Sequence, residues 1–187
     1  ASNPWTETRA QSLGIDIVWP SGDAWLASHT WKSRQRITRR LRNMRNMGFE
    51  FHVLQRGEPH GSVVDAVIAQ KTAWLRERGF QNFLTEPQGP AFLRAAAEEL
   101  TASGSLHLSV VGSKEQIAAC HLGFLRDGVL YYYMPTYDPE WAKYGFGSLQ
   151  RDALLMWACD QGLRRFDLLL GAQPPDPPQD WAGLLAG

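Results

Sequence analysis

Cysteine is scarce in this sequence: there are two among 187 residues, Cys120 and Cys159. They stand far apart inside patterned apolar segments, with no C-x-x-C spacing. That excludes a disulfide scaffold and a zinc ribbon, and it places the chain in a reducing, cytoplasmic setting. Net charge is missing as well, because nineteen basic residues cancel nineteen acidic ones. No global field therefore draws the chain to nucleic acid or to a membrane. No apolar run approaches the roughly 18 residues that cross a bilayer, and no secretory leader is expected. The chain has no internal repeat, no Walker lysine and no G-x-G-x-x-G run, so neither a P-loop nor a Rossmann site is expected. No metal-ligand spacing is present, and no metal is expected. What remains is a chain of one domain's length, 44% apolar and 20% charged, which is enough for a single core.

The charge that cancels overall is unevenly placed. Lys32, Arg34, Arg36, Arg39, Arg40, Arg42 and Arg45 follow one another with no acid among them. Ile37, Leu41 and Met44 recur among them at steps of four and three, a narrow apolar stripe on a basic helix that Gly48 caps. Four tryptophans, Trp5, Trp19, Trp25 and Trp31, crowd ahead of it, so residues 1–48 read as a packed arm ending in a basic helix. After Gly48 the period drops to two: Phe49, Phe51 and Val53 alternate with polar residues, as in a strand. Helices are expected from Ser62 to Gly79 and from Pro90 to Gly104, each ended by its glycine.

Leu106–Val111 and Ile117–Leu125 read as strands. Asp127-Gly128 is a two-residue hairpin turn, and Val129–Met134 returns from it. A glycine-bearing loop over 136–147 leads into a helix from about Ser148 to Gln161, then a buried strand, Phe166–Leu170. The tail from Gln173 to Pro178 holds four prolines and continues neither helix nor sheet. The divisions are thus 1–48, a core over 49–171, and a tail over 172–187. The core order is β-α-α-β-β-β-α-β. It describes an α/β domain with a mixed sheet, antiparallel in the middle, whose last two strands are joined by a crossover helix.

The loop before that helix is the informative piece. Tyr144-Gly145-Phe146-Gly147-Ser148 lies between a strand and a helix start. Its glycines let the backbone approach an anion, and the first N–H groups of a helix point at one. A plain turn explains the same two glycines, and the spacing alone does not choose.

A longer pattern surrounds this loop. Tyr132-Tyr133-Met134-Pro135-Thr136-Tyr137-Asp138-Pro139-Glu140-Trp141-Ala142 is followed by Gly147, Leu149, Trp157-Ala158, Gly162-Leu163 and Phe166-Asp167-(x)3-Gly171. Together with the Arg-rich helix, Arg76-Glu77-Arg78-Gly79 and Phe92-Leu93-Arg94, it resembles the CelD/FemAB-type, BioF2-like branch of the GNAT acyltransferases over about residues 30–171. The resemblance implies a GNAT fold in which Val129–Met134 and Phe166–Leu170 splay around acetyl-CoA or another acyl-CoA. The pyrophosphate would meet Gly145, Gly147 and Ser148, with backbone N–H groups near Tyr133 and Met134 facing the acyl carbonyl. Where the family continues into Y-K-(x)2-W, this chain reads Gly171-Ala172-Gln173-Pro174. Three functions stay open. One is an N-acyltransferase acting on a small-molecule or carrier-bound amine. The others are a non-catalytic scaffold in polysaccharide biosynthesis and a tRNA-dependent aminoacyl transferase.

Acyl transfer from a thioester to an amine needs a base, an oxyanion donor and an acid for the thiolate. His121 is the candidate base: counting back from the Asp127-Gly128 turn pairs it with Met134 at the mouth of the splay. A hydrogen-bonded strand histidine is the plainer reading. Tyr137 is a candidate acid or a packing residue. Asp167 either orients the amine or anchors Arg164 or Arg165. Arg36, Arg39 and Arg40 hold a polyanion or form a solvated face. The apolar strand Phe166–Leu170 lacks a closing hairpin after it, so its edge is expected to recruit Ile15–Trp19 or the strand of a second subunit in a homodimer.

Overall fold

In a computed structural model that describes residues 12–169, the period-two segments form a six-stranded sheet in the order β1-β6-β5-β4-β3-β2. The strands are β1 (Gly14–Asp16), β2 (Glu50–Val53), β3 (Leu106–Gly112), β4 (Ile117–Arg126), β5 (Val129–Tyr137) and β6 (Arg165–Asp167). The helices are α1 (Gly22–Ser28), α2 (Trp31–Asn46), α3 (Gly61–Glu77), α4 (Gly89–Ala102) and α5 (Phe146–Asp160). From β2 to β6 the order is β-α-α-β-β-β-α-β, and only β5 and β6 pair in parallel. Trp5, Leu170, Gly171 and the proline-rich tail lie outside the described residues.

Side chains alternate across the sheet, so each face takes its own helices. Leu108, Cys120, Leu122 and Met134 pack on Val64, Val67 and Leu93 of α3 and α4. On the other face Leu130 and Phe166 meet Leu154 and Ala158 of α5, and Trp25 of α1 and Ile37 of α2 join the same cluster. Ser21 caps α1 by accepting from the Ala24 N–H at 3.1 Å, and the Gly22 N–H donates to Asp160 Oδ1 at 2.8 Å. The arm is therefore tied to the C-terminal end of α5.

β5 runs on to Tyr137, past the end expected at Met134, and β6 is Arg165–Asp167 where Phe166–Leu170 is expected. Three further features differ from the sequence reading. First, β1 is three residues long and starts at Gly14. It pairs antiparallel with β6, Ile15 opposite Phe166, so the chain covers its own edge. Second, α5 begins two residues early, at Phe146. Gly145 enters the left-handed region at φ 70° and becomes the cap.

The third difference is in register. Asp127 and Gly128 take φ 50° and 72°, the primed turn that their sequence demands. Arg126 faces Val129 and Phe124 faces Tyr131 as counted, but the ladder then slips. Between Phe124↔Tyr131 and Leu122↔Met134, Tyr132 and Tyr133 share a single partner position, Gly123. This is a β-bulge, which adds one residue to one strand. His121 consequently faces Pro135 and not Met134. Gly123 is the permissive residue, since a Cβ there would press on the Tyr131 carbonyl oxygen and approach the His121 ring at 2.5 Å.

Candidate functional site

β5 and β6 pair only over Val129–Tyr131 and Arg165–Asp167. Beyond Tyr131 the β6 side of β5 has no strand beside it among the described residues. The bulge lies at this point: Tyr133 turns toward Phe124, at 5.2 Å between rings, while Tyr132 turns to the α5 face and Phe166. Met134 is buried among α3 and α4, which leaves its backbone at the free edge. The result is a wedge between two parallel strands, with unpaired backbone groups along one wall.

The wedge leads to the start of α5. The Gly145 N–H donates to the Ala142 carbonyl, and the first turn closes from the Leu149 N–H to the Gly145 carbonyl, both at 3.0 Å. The N–H groups of Phe146, Gly147 and Ser148 are the ones an α-helix leaves free at this end. Two side chains stand beside them. A Cβ on Gly145 would lie 3.4 Å from Arg40 Nε, and a Cβ on Gly147 would lie 3.0 Å from Tyr137 Cδ1. Tyr137, at the end of β5, therefore stands beside Gly147 of α5, and Arg40 of α2 stands beside Gly145; Tyr133 and Met134 lie at the bulge on the same strand. Arg36 and Arg39 are exposed, about one turn and one residue before Arg40 on α2.

His121 is not at the mouth of the wedge. The bulge and the strand alternation carry it beneath α5, where it is fully buried and stacked on Tyr132 at 4.6 Å and 16°. Burial, and then the neighbouring His107, hold its imidazole well below the usual value, so it is neutral.

Asp167 faces Tyr131 across the last parallel pair. It accepts from Ser12 Oγ, from the Leu169 N–H at 2.9 Å and from Arg165 Nε at 3.2 Å. Burial raises its carboxyl pKa, but these three donors outweigh it, and the net position is below the ordinary 3.8. A depressed folded value stabilises the fold above the unfolded pKa and loses that contribution as pH falls through the folded one. Wild type should thus show an acid limb in its unfolding midpoint below about pH 4. In Asp167→Asn that limb should be shallower, and a thermal melt series from neutral to acid pH measures it. Identical limbs would remove the carboxylate from this role.

A second histidine, which reads from the sequence as a plain strand histidine, lies in the same layer. His107 of β3 packs 5.7 Å from the His121 ring and 4.9 Å from Trp157 of α5. Gln150 of α5, fully buried, donates through Nε2 to the Ser109 carbonyl at 3.2 Å. Among the described residues, both ring nitrogens of His107 and of His121, Ser109 Oγ and Gln150 Oε1 have no hydrogen-bond partner. Each such group costs about 1–3 kcal/mol if left unsatisfied. The signals existed in the sequence: a glycine inside a strand, and a glutamine on the inner face of an apolar helix.

The cysteines are core thiols. Burial pushes Cys120 up to about 12, far from a reactive thiolate. Among the described residues no three His, Cys, Asp or Glu side chains are grouped to hold a metal ion, and no helix is long and apolar enough to cross a membrane.

A mixed sheet whose two parallel strands part at a bulge, above a glycine-opened crossover helix, defines the GNAT-like acyltransferase class. The chain belongs to the acetyltransferase (GNAT) domain family of the CelD/BioF2-like kind, whose model matches residues 32–175. No curated protein matches it. Among solved structures, FemX superposes with a TM-score of 0.60 at 12% identity, over 92% of this chain and 57% of FemX. L-PGS from Bacillus licheniformis gives 0.54 at 16%, over 94% of this chain and 50% of that one. A conserved protein of Bacteroides thetaiotaomicron gives 0.52 at 13%, over 97% and 55%. At these identities the likeness is one of fold, and this chain spans about half the length of each.

Proposed function

We propose that this chain is an acyl-CoA-dependent N-acyltransferase that passes an acyl group from a thioester to an amine. One observation carries the reading: β5, which pairs with β6 only as far as Tyr131, ends with Tyr137 beside Gly147 at the free N–H groups of Phe146, Gly147 and Ser148, and Arg40 stands beside Gly145. A pyrophosphate at that helix start gains three donors, the positive end of the dipole and a guanidinium. The thioester arm lies along the unpaired edge of β5, as an added strand would. Backbone N–H groups at Tyr133 and Met134 then meet the carbonyl oxygen as it becomes an oxyanion. The amine nitrogen bonds to the carbonyl carbon, the C–S bond breaks, and the thiolate leaves with the electron pair. Asp167 positions the end of β6, and thereby the opposite wall. Calorimetric titration of the protein with acetyl-CoA and with CoA tests the reading. Saturable binding of both is expected, and heats that never saturate would sink it.

A second reading, a polyanionic acceptor or carrier such as the acceptor end of a tRNA, is favoured by one flank of α2. Lys32, Arg36, Arg39 and Arg40 recur at steps of four, three and one, which places them on one side of a helix with 3.6 residues per turn. None of them forms an ion pair among the described residues, and Arg40 ends the row beside Gly145. If this flank binds a single-stranded RNA oligomer, each neutralised phosphate contributes about 0.7 to the salt slope, so log affinity against log salt should fall with a slope of roughly −2 to −3. Fluorescence anisotropy at several salt concentrations reads this out. A flat response returns the flank to solvent.

A further inference from the structure

The polar layer beneath α5 takes no part in the steps above, and its place in the fold gives it one. Its rings follow one another across the sheet, from His107 on β3 to His121 on β4 to Tyr132 at the bulge of β5. Each end of the row meets something. Tyr132 stands where β5 loses β6, at the wedge. At the far end, His107 and Trp157 belong to the wall of a groove of about 400 Å³ that also carries Gln55, Glu58, His60 and Gln161.

A neutral imidazole has one N–H donor and one bare acceptor. It can take a proton at one nitrogen while releasing the proton on the other. Burial drives His107 down to about 4 and His121 well below its usual value, which keeps both in that neutral form. Their ring centres lie 5.7 Å apart and no nitrogen of either ring has a hydrogen-bond partner among the described residues, so the relay requires a bridging water. Ser109 Oγ and Gln150 Oε1, equally unpartnered in the same layer, supply the further contacts that a buried water needs.

We propose that His121 and His107 relay the proton released by the acceptor amine at the Tyr132 bulge, through water held by Ser109 and Gln150, to the groove beside Gln55 and His60. The relay rests on the acyl-transfer reading. As the C–N bond forms and the C–S bond breaks, the nitrogen sheds one proton. Water at the Tyr132 bulge carries it to His121, which accepts it on one ring nitrogen and yields the proton of the other, and His107 repeats the exchange. Solvent in the groove receives one proton and the departing thiolate takes one from solvent, so charge and protons balance with no further reactant.

The deciding experiment uses the full chain labelled with [15N]histidine and transferred into D2O. In a hydrated relay the buried imidazole N–H signals of His107 and His121 vanish within minutes, and in H2O they show cross-peaks to water. Signals that persist for hours, as core amides do, mean a dry layer and overturn the relay without any assay of activity. Thiol release from acetyl-CoA, with a panel of primary amines as acceptors, supplies the second arm. His121→Phe and His107→Phe should keep acetyl-CoA affinity, lose about 100-fold in rate, and lose the solvent isotope effect of the wild type. An unchanged rate and isotope effect would overturn the relay and leave acyl transfer standing. Failure of the wild type to bind acetyl-CoA overturns acyl transfer itself. If either variant does not fold, the exchange measurement on the wild type decides alone.

Discussion

Gly147→Asp should lower acetyl-CoA affinity by at least about 100-fold while the unfolding midpoint moves by only a few degrees. The carboxylate would enter at the second residue of α5, among the three N–H groups assigned to the pyrophosphate. Two like charges about 4 Å apart repel by roughly 4 kcal/mol near a protein surface, more than the 2.7 or so that a 100-fold loss requires. Bulk adds to charge, since the new Cβ would lie 3.0 Å from Tyr137 Cδ1. Stability is spared for a separate reason. An acid in the first turn of a helix gains about 0.3–1 kcal/mol from the dipole, and any side chain improves on glycine there. Those gains offset the displacement of Tyr137. Gly147→Ala separates the two effects, because it carries the bulk without the charge and should cost less than tenfold. Calorimetry measures both variants against wild type. Affinity retained in Gly147→Asp would move the anion site elsewhere.

What the sequence discloses here is what is locally encoded. Asp127-Gly128 demands φ values that few other residue pairs tolerate, and the turn is where it was read. Gly145 signals a helix start because only a residue free of a Cβ enters the left-handed region at no cost. The crossover order follows from one change of period after another. The bulge is different. Gly123 lies inside an apolar strand, and nothing in its neighbours says which strand gains the extra residue. That choice belongs to the partner, Tyr132-Tyr133, and to the loss of β6 beside it. One slipped residue moved His121 from Met134 to Pro135, and with it the site changed shape. His107 was illegible for a related reason: its meaning depends on His121, Trp157 and Gln150, which arrive from two other elements. Arg40 shows the intermediate case. Its charge is plain in the sequence, but its place beside Gly145 comes from how α2 crosses α5.

Removing residues 1–20 should lower the unfolding midpoint by on the order of 10 °C, or drive the protein into aggregates, while leaving the capped start of α1 intact. The cut ends before Ser21, so the Ala24 cap and the Gly22–Asp160 bond survive. What it removes is β1, and β6 has little else. β6 is three residues long and pairs with β5 over three positions. Its other side is held by β1, by the Leu168 N–H donating to the Leu13 carbonyl at 2.7 Å, and by the Ile17 N–H donating to the Arg164 carbonyl at 3.0 Å. Arg165 bridges to Asp16 at 2.7 Å, and Ser12 donates to Asp167. Ile15, Ile17 and Trp19 pack against the cluster of Leu130, Leu154 and Phe166. A fully buried side chain of this kind contributes about 1.5–3 kcal/mol, so three partly buried ones amount to about 3 kcal/mol before any pairing is counted. For a chain of this size each kcal/mol moves the midpoint by about 2–4 °C. The exposed edge then presents Phe166 and its backbone to any other strand, which is the usual route to association. Ile15→Asp keeps the chain length and should reproduce most of the loss. Differential scanning calorimetry and light scattering follow both variants. A truncated protein as stable as wild type, and monomeric, would show that β6 is held by β5 and α5 alone.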